Sequence, residues 1–257
     1  MKKNKILSTI LIGACLITLA SCGSDDDDSS SSSAPQEQQQ DDQGIYRAVL
    51  KPLNTNANHS TSGTVEIRIE GDDFQVNSTV TGAPAGVKHL QNVTLLTACP
   101  TEGNDLNNDS YVDILEAAAS AGPILIPLDS NLSAQLDGIS YGPIANGSGS
   151  YVYRRSTSLT DLLADLRSPD PDPADALVKL PDGQDLNLAG RVVLIHGVNS
   201  SANLPSSVAT INDLSASQSL PIACGELVRV TSEDTGGETG SGTTTGETET
   251  GTTTGEI

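Results

Sequence analysis

Between residues 105 and 116 the chain reads Asp105-Leu106-Asn107-Asn108-Asp109-Ser110-Tyr111-Val112-Asp113-Ile114-Leu115-Glu116. Oxygen-bearing side chains fall at the first, third, fifth, ninth and twelfth positions, and an apolar residue stands at the eighth. A hard cation gathers about six to eight oxygens, and a tightly wound loop turns alternate side chains inward to supply them. The spacing therefore predicts a calcium site. Asp105, Asn107 and Asp109 would reach in from the loop, and Tyr111 would offer its backbone carbonyl. Asp113 would act directly or through water, and Glu116 would bind through both oxygens from the first turn of an exiting helix.

This pattern resembles the calcium loop of an EF-hand. One position departs from it. The sixth residue, which prefers glycine for the sharp turn, is Ser110 and must accept a positive φ at some cost. A modest affinity follows, sufficient at extracellular calcium levels. Upstream, Thr97-Ala98-Cys99-Pro100 cannot be an entering helix. The expectation is a lone loop with an exiting helix, structural in role rather than a paired sensor. The competing reading of the same residues is an Asn/Asp-rich turn that merely caps a helix.

The four cysteines stand at 15, 22, 99 and 224. Residues 1–21 read as an export leader: Lys2, Lys3 and Lys5 form a charged start, Ile6 to Leu19 an apolar run, and Leu19-Ala20-Ser21 a small-residue cleavage site. The run is short for a membrane span. The cysteine at the cut resembles a lipobox, so Cys22 is expected to carry lipid and to tether the chain to the bacterial envelope. With Cys15 removed and Cys22 acylated, Cys99 and Cys224 remain, and in an oxidising compartment they should pair. Residues 22–43, with Asp25 to Asp28 and a serine run, read as an acidic tether, and its acidic start also resembles the surface-export signals of some Gram-negative lipoproteins. Residues 231–257, rich in Thr, Gly and Glu, read as a second extended segment. These features imply an outer-membrane lipoprotein of the bacterial envelope, with the acidic start read either as a surface-export signal or as a plain spacer and the orientation, periplasmic or cell-surface, left open.

The loop and the cysteine pair must be positioned by residues 44–230, long enough for one buried core. Thr64-Val65-Glu66-Ile67-Arg68-Ile69-Glu70 alternates apolar and polar, Gly71-Asp72-Asp73 supplies a turn, and Phe74 to Val80 alternates again. Further strands are expected at Ile45–Leu53, Lys88–Leu96, Ile124–Leu128, Tyr151–Arg154, Arg191–His196 and Ile222–Val230, with short helices at Tyr111–Ser120 and Ser158–Leu166. Short strands punctuated by Gly, Asn and Asp define an all-β class: an antiparallel Greek-key β-sandwich or flattened barrel. With so few aromatic residues, its core is expected to be Val, Ile, Leu and Ala.

Two stretches, Gly190-Arg191-Val192-Val193-Leu194-Ile195-His196-Gly197 and Leu220-Pro221-Ile222-Ala223-Cys224-Gly225-Glu226-Leu227, resemble the end of the copper/zinc superoxide dismutase fold. There a strand closes on a copper-ligating histidine and an Ala-Cys-Gly strand carries the disulfide. Gly63 to Ile67 and Gly82 to Ala98 suit its earlier strands, and the arrangement also resembles CHRD domains. The resemblance implies the sandwich and the Cys99–Cys224 bridge, but not the enzyme. The copper site of that family needs an His-x-His pair, a bridging histidine and a later one. Here only His59, His89 and His196 occur, and the expected pair reads Lys88-His89-Leu90-Gln91. The arginine that guides superoxide, three residues before the cysteine, is Pro221. Two imidazoles cannot build the redox centre. His89 and His196 are expected to be hydrogen-bonded residues of the sheet, and His59 a solvated loop residue.

The segment Arg191-Val192-Val193-Leu194-Ile195-His196-Gly197 also resembles the His-Gly strand end of α/β-hydrolases, yet no nucleophile elbow and no later histidine follow it. The formal net charge of −20 argues against nucleic acid and anionic lipid as partners. The sequence thus points to a non-catalytic binding or structural lipoprotein with one calcium and one disulfide, joined to the membrane through Cys22 and facing a surface or protein ligand of unspecified kind. The alternative is a remnant copper-dependent, superoxide dismutase-like redox enzyme.

Overall fold

The structure, a computed structural model, describes residues 42–132, 142–168, 179–211 and 214–231. The expected leader, Cys22, the tether up to residue 41 and the segment 232–257 lie outside the described residues. The strands are β1 (Gly44–Pro52), β2 (Ser62–Glu70), β3 (Asp73–Thr81), β4 (Gln91–Thr94), β5 (Ile124–Pro127), β6 (Tyr151–Ser158), β7 (Val192–His196) and β8 (Pro221–Arg229). The helices are α1 (Ile114–Ala121), α2 (Leu159–Arg167) and α3 (Ala216–Ser219). Each strand falls where alternation placed one, although Lys88–Leu96 contracts to β4. Both expected helices form, and the single turn α3 is an addition.

The strands make one antiparallel sheet in the order β5-β4-β7-β8-β1-β2-β3-β6, curled into a half-barrel. β8 returns to lie beside β1, so the spatial run β8-β1-β2-β3 has Greek-key character. Local chemistry sets the first hairpin. Gly71 and Asp72 alone separate β2 from β3, and Gly71 sits at φ 60, the positive first position of a II′-type turn whose twist matches its strands.

The two halves of the sheet differ in burial. β2 and β3 alternate between buried and exposed, sending Val65, Ile67, Ile69, Phe74, Val76 and Val80 inward. β4, β5 and β7 are buried at every residue, on both faces. Their inner face joins the main core, which α2 closes with Leu159, Leu162 and Leu166. On the other face Val192, Leu194 and Cys224 are covered by Ala121 of α1 and by Cys99. The core is mainly aliphatic, but Phe74, Tyr46, Tyr151 and Tyr153 are also buried, four of the five aromatic side chains among the described residues.

The folded unit begins before β1. Asp42, assigned by composition to the tether, is buried, and its carboxylate accepts the backbone N–H groups of Leu186 and Asn187 at 2.8 Å each. Composition could not reveal this, because the partners lie far along the chain and are backbone groups. Burial holds the Asp42 carboxyl above the usual aspartate range, against the two N–H bonds that favour its charged form.

Cys99 and Cys224 form the expected disulfide, closing a loop of 125 residues. Converting both to alanine should lower stability by about 4–5 kcal/mol, the loop-closure value for a span of this length. Urea denaturation measures it, and a loss below about 1 kcal/mol would show that α1 holds the covering segment without the bridge.

Candidate functional site

The residues of the sequence-predicted loop are brought together in a wound turn that ends on α1. Asp105 receives Asp109 N–H on Oδ1 at 3.1 Å and Ser110 N–H on Oδ2 at 2.9 Å. Asn107 Oδ1 accepts Asp109 N–H at 2.9 Å, and Asp109 Oδ1 accepts Tyr111 N–H at 2.9 Å. Side chains at alternate positions thus fold their oxygens back onto the loop's own amides, the habit of Asp and Asn in turns. Asn108 and Ser110 both have positive φ, at 58 and 77. Ser110 therefore takes the left-handed conformation that its position demands, without the freedom of glycine.

Glu116 closes the loop. Its Oε1 accepts the N–H groups of Leu106 at 2.8 Å and Asn107 at 3.2 Å, and Oε2 accepts Asp113 N–H at 3.1 Å. The twelfth residue is therefore folded against the second and third. Asp113 caps α1: Oδ1 accepts Leu115 N–H and Glu116 N–H at 2.9 and 3.0 Å, and Oδ2 accepts Ala209 N–H at 2.8 Å. Asp113 and Glu116 together form a reciprocal capping box. The helix-cap reading and the loop geometry thus coexist in one set of residues.

A carboxylate offers about four lone-pair positions. These bonds engage three on Asp113 and three on Glu116, but only two on Asp105 and two on Asp109, whose Oδ2 takes the Ser207 hydroxyl at 2.6 Å. Oxygen donors thus remain on Asp105, Asn107 and Asp109, with the Tyr111 carbonyl close by in sequence. That donor set is all oxygen and suits a hard cation. Among the described residues, no group of three or more His, Cys, Asp or Glu side chains is drawn together as a metal-holding cluster.

The loop is held from outside by residues that spacing alone did not single out. Asn54, buried and left-handed at φ 55, accepts Val112 N–H on Oδ1 at 2.8 Å. Its Nδ2 donates to the carbonyls of Val112 at 2.9 Å and Pro221 at 2.8 Å. Asn56 Nδ2 donates to the Ser110 carbonyl. One asparagine therefore ties the loop to the start of β8. The run Asn54-Thr55-Asn56-Ala57-Asn58 carried a signal of left-handed backbone, since asparagine tolerates that region. Its partners were not visible in it.

His89 and His196 are neighbours, though not as paired ligands. His196 Nδ1 faces the Ser219 carbonyl at 2.8 Å, which assigns the proton to that nitrogen, and Nε2 accepts from Asn92 Nδ2 at 2.9 Å. His89 Nδ1 lies 3.0 Å from the His196 carbonyl and Nε2 lies 3.3 Å from that of Pro84, while the ring stacks on Tyr151. Both rings are fully buried. Burial pushes His196 down to about 4, and lowers His89 as well. His59 departs from expectation: it is half-buried and its Nδ1 faces the Thr61 hydroxyl at 3.1 Å.

No family model matches the chain, and no curated protein matches it. Among the described residues no helix is long and apolar enough to cross a membrane.

Two outcomes follow from this geometry. Asn54→Gly keeps the left-handed backbone but strips three hydrogen bonds from buried groups, so urea unfolding should show a loss of about 2–3 kcal/mol. An unchanged midpoint would mean that the loop finds other anchors. For His196, the unfolded chain binds a proton near 6.5 and the folded chain only near 4. Between those values the unfolded state holds more protons, so stability falls as pH is lowered from about 6.5 to about 4, by on the order of 3 kcal/mol. Replacing His196 with Gln should flatten that slope relative to the unaltered protein; an identical slope would assign it to other groups.

Proposed function

We propose that this chain is a non-catalytic, envelope-tethered lipoprotein whose β-domain is stabilised by one calcium ion in the loop Asp105–Glu116, beside the Cys99–Cys224 disulfide. The observation that carries this reading is the return of Glu116 onto Leu106 and Asn107. A cation bound by the first, third, fifth and twelfth positions needs both ends of the loop side by side, and these bonds put them there. Asp105, Asn107, Asp109, the Tyr111 carbonyl and Glu116 are the proposed ligands, with Asp113 reaching the ion through water while it caps α1. Calcium would neutralise the carboxylates gathered in the turn and stiffen the stretch between Cys99 and Ile124.

The remaining assignments rest on sequence: lipid on Cys22, residence at the outer membrane facing the periplasm or the cell surface, and kinship with superoxide dismutase-like and CHRD domains. In this reading His89 and His196 are buried, hydrogen-bonded parts of the fold. The neutral tautomer of His196 and its bond to Asn92 favour that role over copper ligation.

Elemental analysis of the purified protein should give one calcium per chain and no stoichiometric copper or zinc. With calcium near 100 times its dissociation constant, chelation should cost about 2–3 kcal/mol, read as a lower melting temperature. Glu116→Gln should abolish the difference between chelated and calcium-loaded melts. Identical melts with and without chelator would overturn the calcium assignment, and stoichiometric copper with dismutase activity would restore the redox alternative.

A further inference from the structure

Charge is distributed unevenly over the sheet. On the outer face of β1, β2, β3, β6 and β8 and along its rim stand Arg47, Lys51, Arg68, Arg154, Arg155 and Arg229, six of the ten basic residues in 45–230. Five of the twenty acidic residues of that unit, Glu66, Glu70, Asp72, Asp73 and Glu226, share the face and rim. A protein of net charge −20 thus carries one surface on which basic residues slightly outnumber acidic ones.

Strand register shows how the arginines are grouped. Arg47 pairs with Glu66, Glu66 with Asn77, and Asn77 with Arg154, giving one row across four strands. Ile45, Arg68, Gln75 and Ser156 form the next row. A groove of about 600 Å³ runs between them, lined by Arg68, Gln75, Asn77, Arg154 and Arg155 among others. Arg47 bonds Glu66 at 2.8 Å and Arg68 bonds Glu70 at 2.9 Å. Arg154 meets Asn77 Oδ1 through Nε at 3.3 Å, and Arg155 donates to the Arg154 carbonyl at 2.7 Å. Neither Arg154 nor Arg155 has a carboxylate partner among the described residues.

These rows lie at the end of the sheet where β8 finishes, since Arg229 pairs with Tyr46 and Val228 with Arg47. The chain leaves β8 there and continues into residues 232–257, which contain six carboxylate side chains and no basic residue. Glu233, Asp234 and Glu238 come first. From Thr231 to Glu238 an extended chain reaches about 23 Å, and crossing from β8 to β6 spans four interstrand steps, about 19 Å. A soluble polyanion would be repelled by the acidic bulk of the protein, whereas a tethered carboxylate arrives at high effective concentration. The few aromatic residues described are mostly buried, so the face has no stacking platform for a neutral glycan.

We propose that this arginine-bearing face is a docking surface for the chain's own acidic segment 232–257, the carboxylates of Glu233, Asp234 and Glu238 pairing with Arg68, Arg154, Arg155 and Arg229.

The test is residue-resolved NMR on the full chain and on the variant E233Q/D234N/E238Q, with R154Q/R155Q as the reciprocal change at exposed positions. At about 10 mM salt, where screening reaches about 30 Å, both variants should shift the amides of Gln75, Asn77 and Ser156. R154Q/R155Q should also shift those of Glu233, Asp234 and Glu238. The differences should vanish near 1 M salt, where screening shortens to about 3 Å. Shifts confined to the immediate neighbours of each substitution would overturn the proposal. So would poly-glutamate binding to the unaltered chain as tightly as to E233Q/D234N/E238Q, which would make the face a site for an external polyanion.

Discussion

Three strands of this sheet are buried on both faces, and that constraint organises the rest of the molecule. β4, β5 and β7 bury every residue, so a single core beneath them is not enough. The second cover is the segment that runs from Cys99 through the wound loop into α1. It packs Ala121 and the disulfide against Val192, Leu194 and Cys224, and Ile114 against Leu90, Ile124 and Ile211. It is also pinned: covalently at Cys99, by hydrogen bonds to Asn54 and Asn56 at the loop, and by the capping box at the start of α1. The carboxylates gathered in the loop are part of this fastening. Their oxygens turn inward onto amides that would otherwise lack partners, at the cost of crowding negative charge into one turn.

The other half of the sheet solves a different problem. Its outer face meets water, which permits clean alternation and leaves room for charge. The hydrophobic effect therefore wrote two unlike signatures into one sheet: period two where one face is wet, and short apolar runs in β5 and β7, where neither is. Arg191 stands near the join of the two regimes, buried in part and donating to the Leu186 and Leu95 carbonyls.

Much of this was legible in the sequence because it depends on near neighbours. Alternation in β2 and β3, the Gly71 turn and the apolar runs of β5 and β7 are local patterns, and each strand lies where they put it. The spacing from Asp105 to Glu116 is local too, and these residues wind into one turn with Ser110 at positive φ. What could not be read depends on partners remote in the chain. Asn54 reaches Val112 and Pro221, and Asp42 reaches Leu186 and Asn187. In both cases a polar residue in a polar stretch is buried because distant backbone groups satisfy it, and composition carries no trace of that. The histidines make the same point. His196 closes β7, where burial keeps its ring neutral and the Ser219 carbonyl and Asn92 set its tautomer.

The position of β1 has a mechanical consequence. It lies inside the sheet, laddered to β2 on one side and to β8 on the other, with Asp42 fastened just ahead of it. A pull on the chain ahead of Asp42, opposed at the far ends of β2 and β8, would load both ladders along the strand axis, so their bonds would resist together in shear. An edge strand such as β6, pulled away sideways, would instead unzip one bond at a time. Force that enters at Asp42 therefore meets two ladders rather than one.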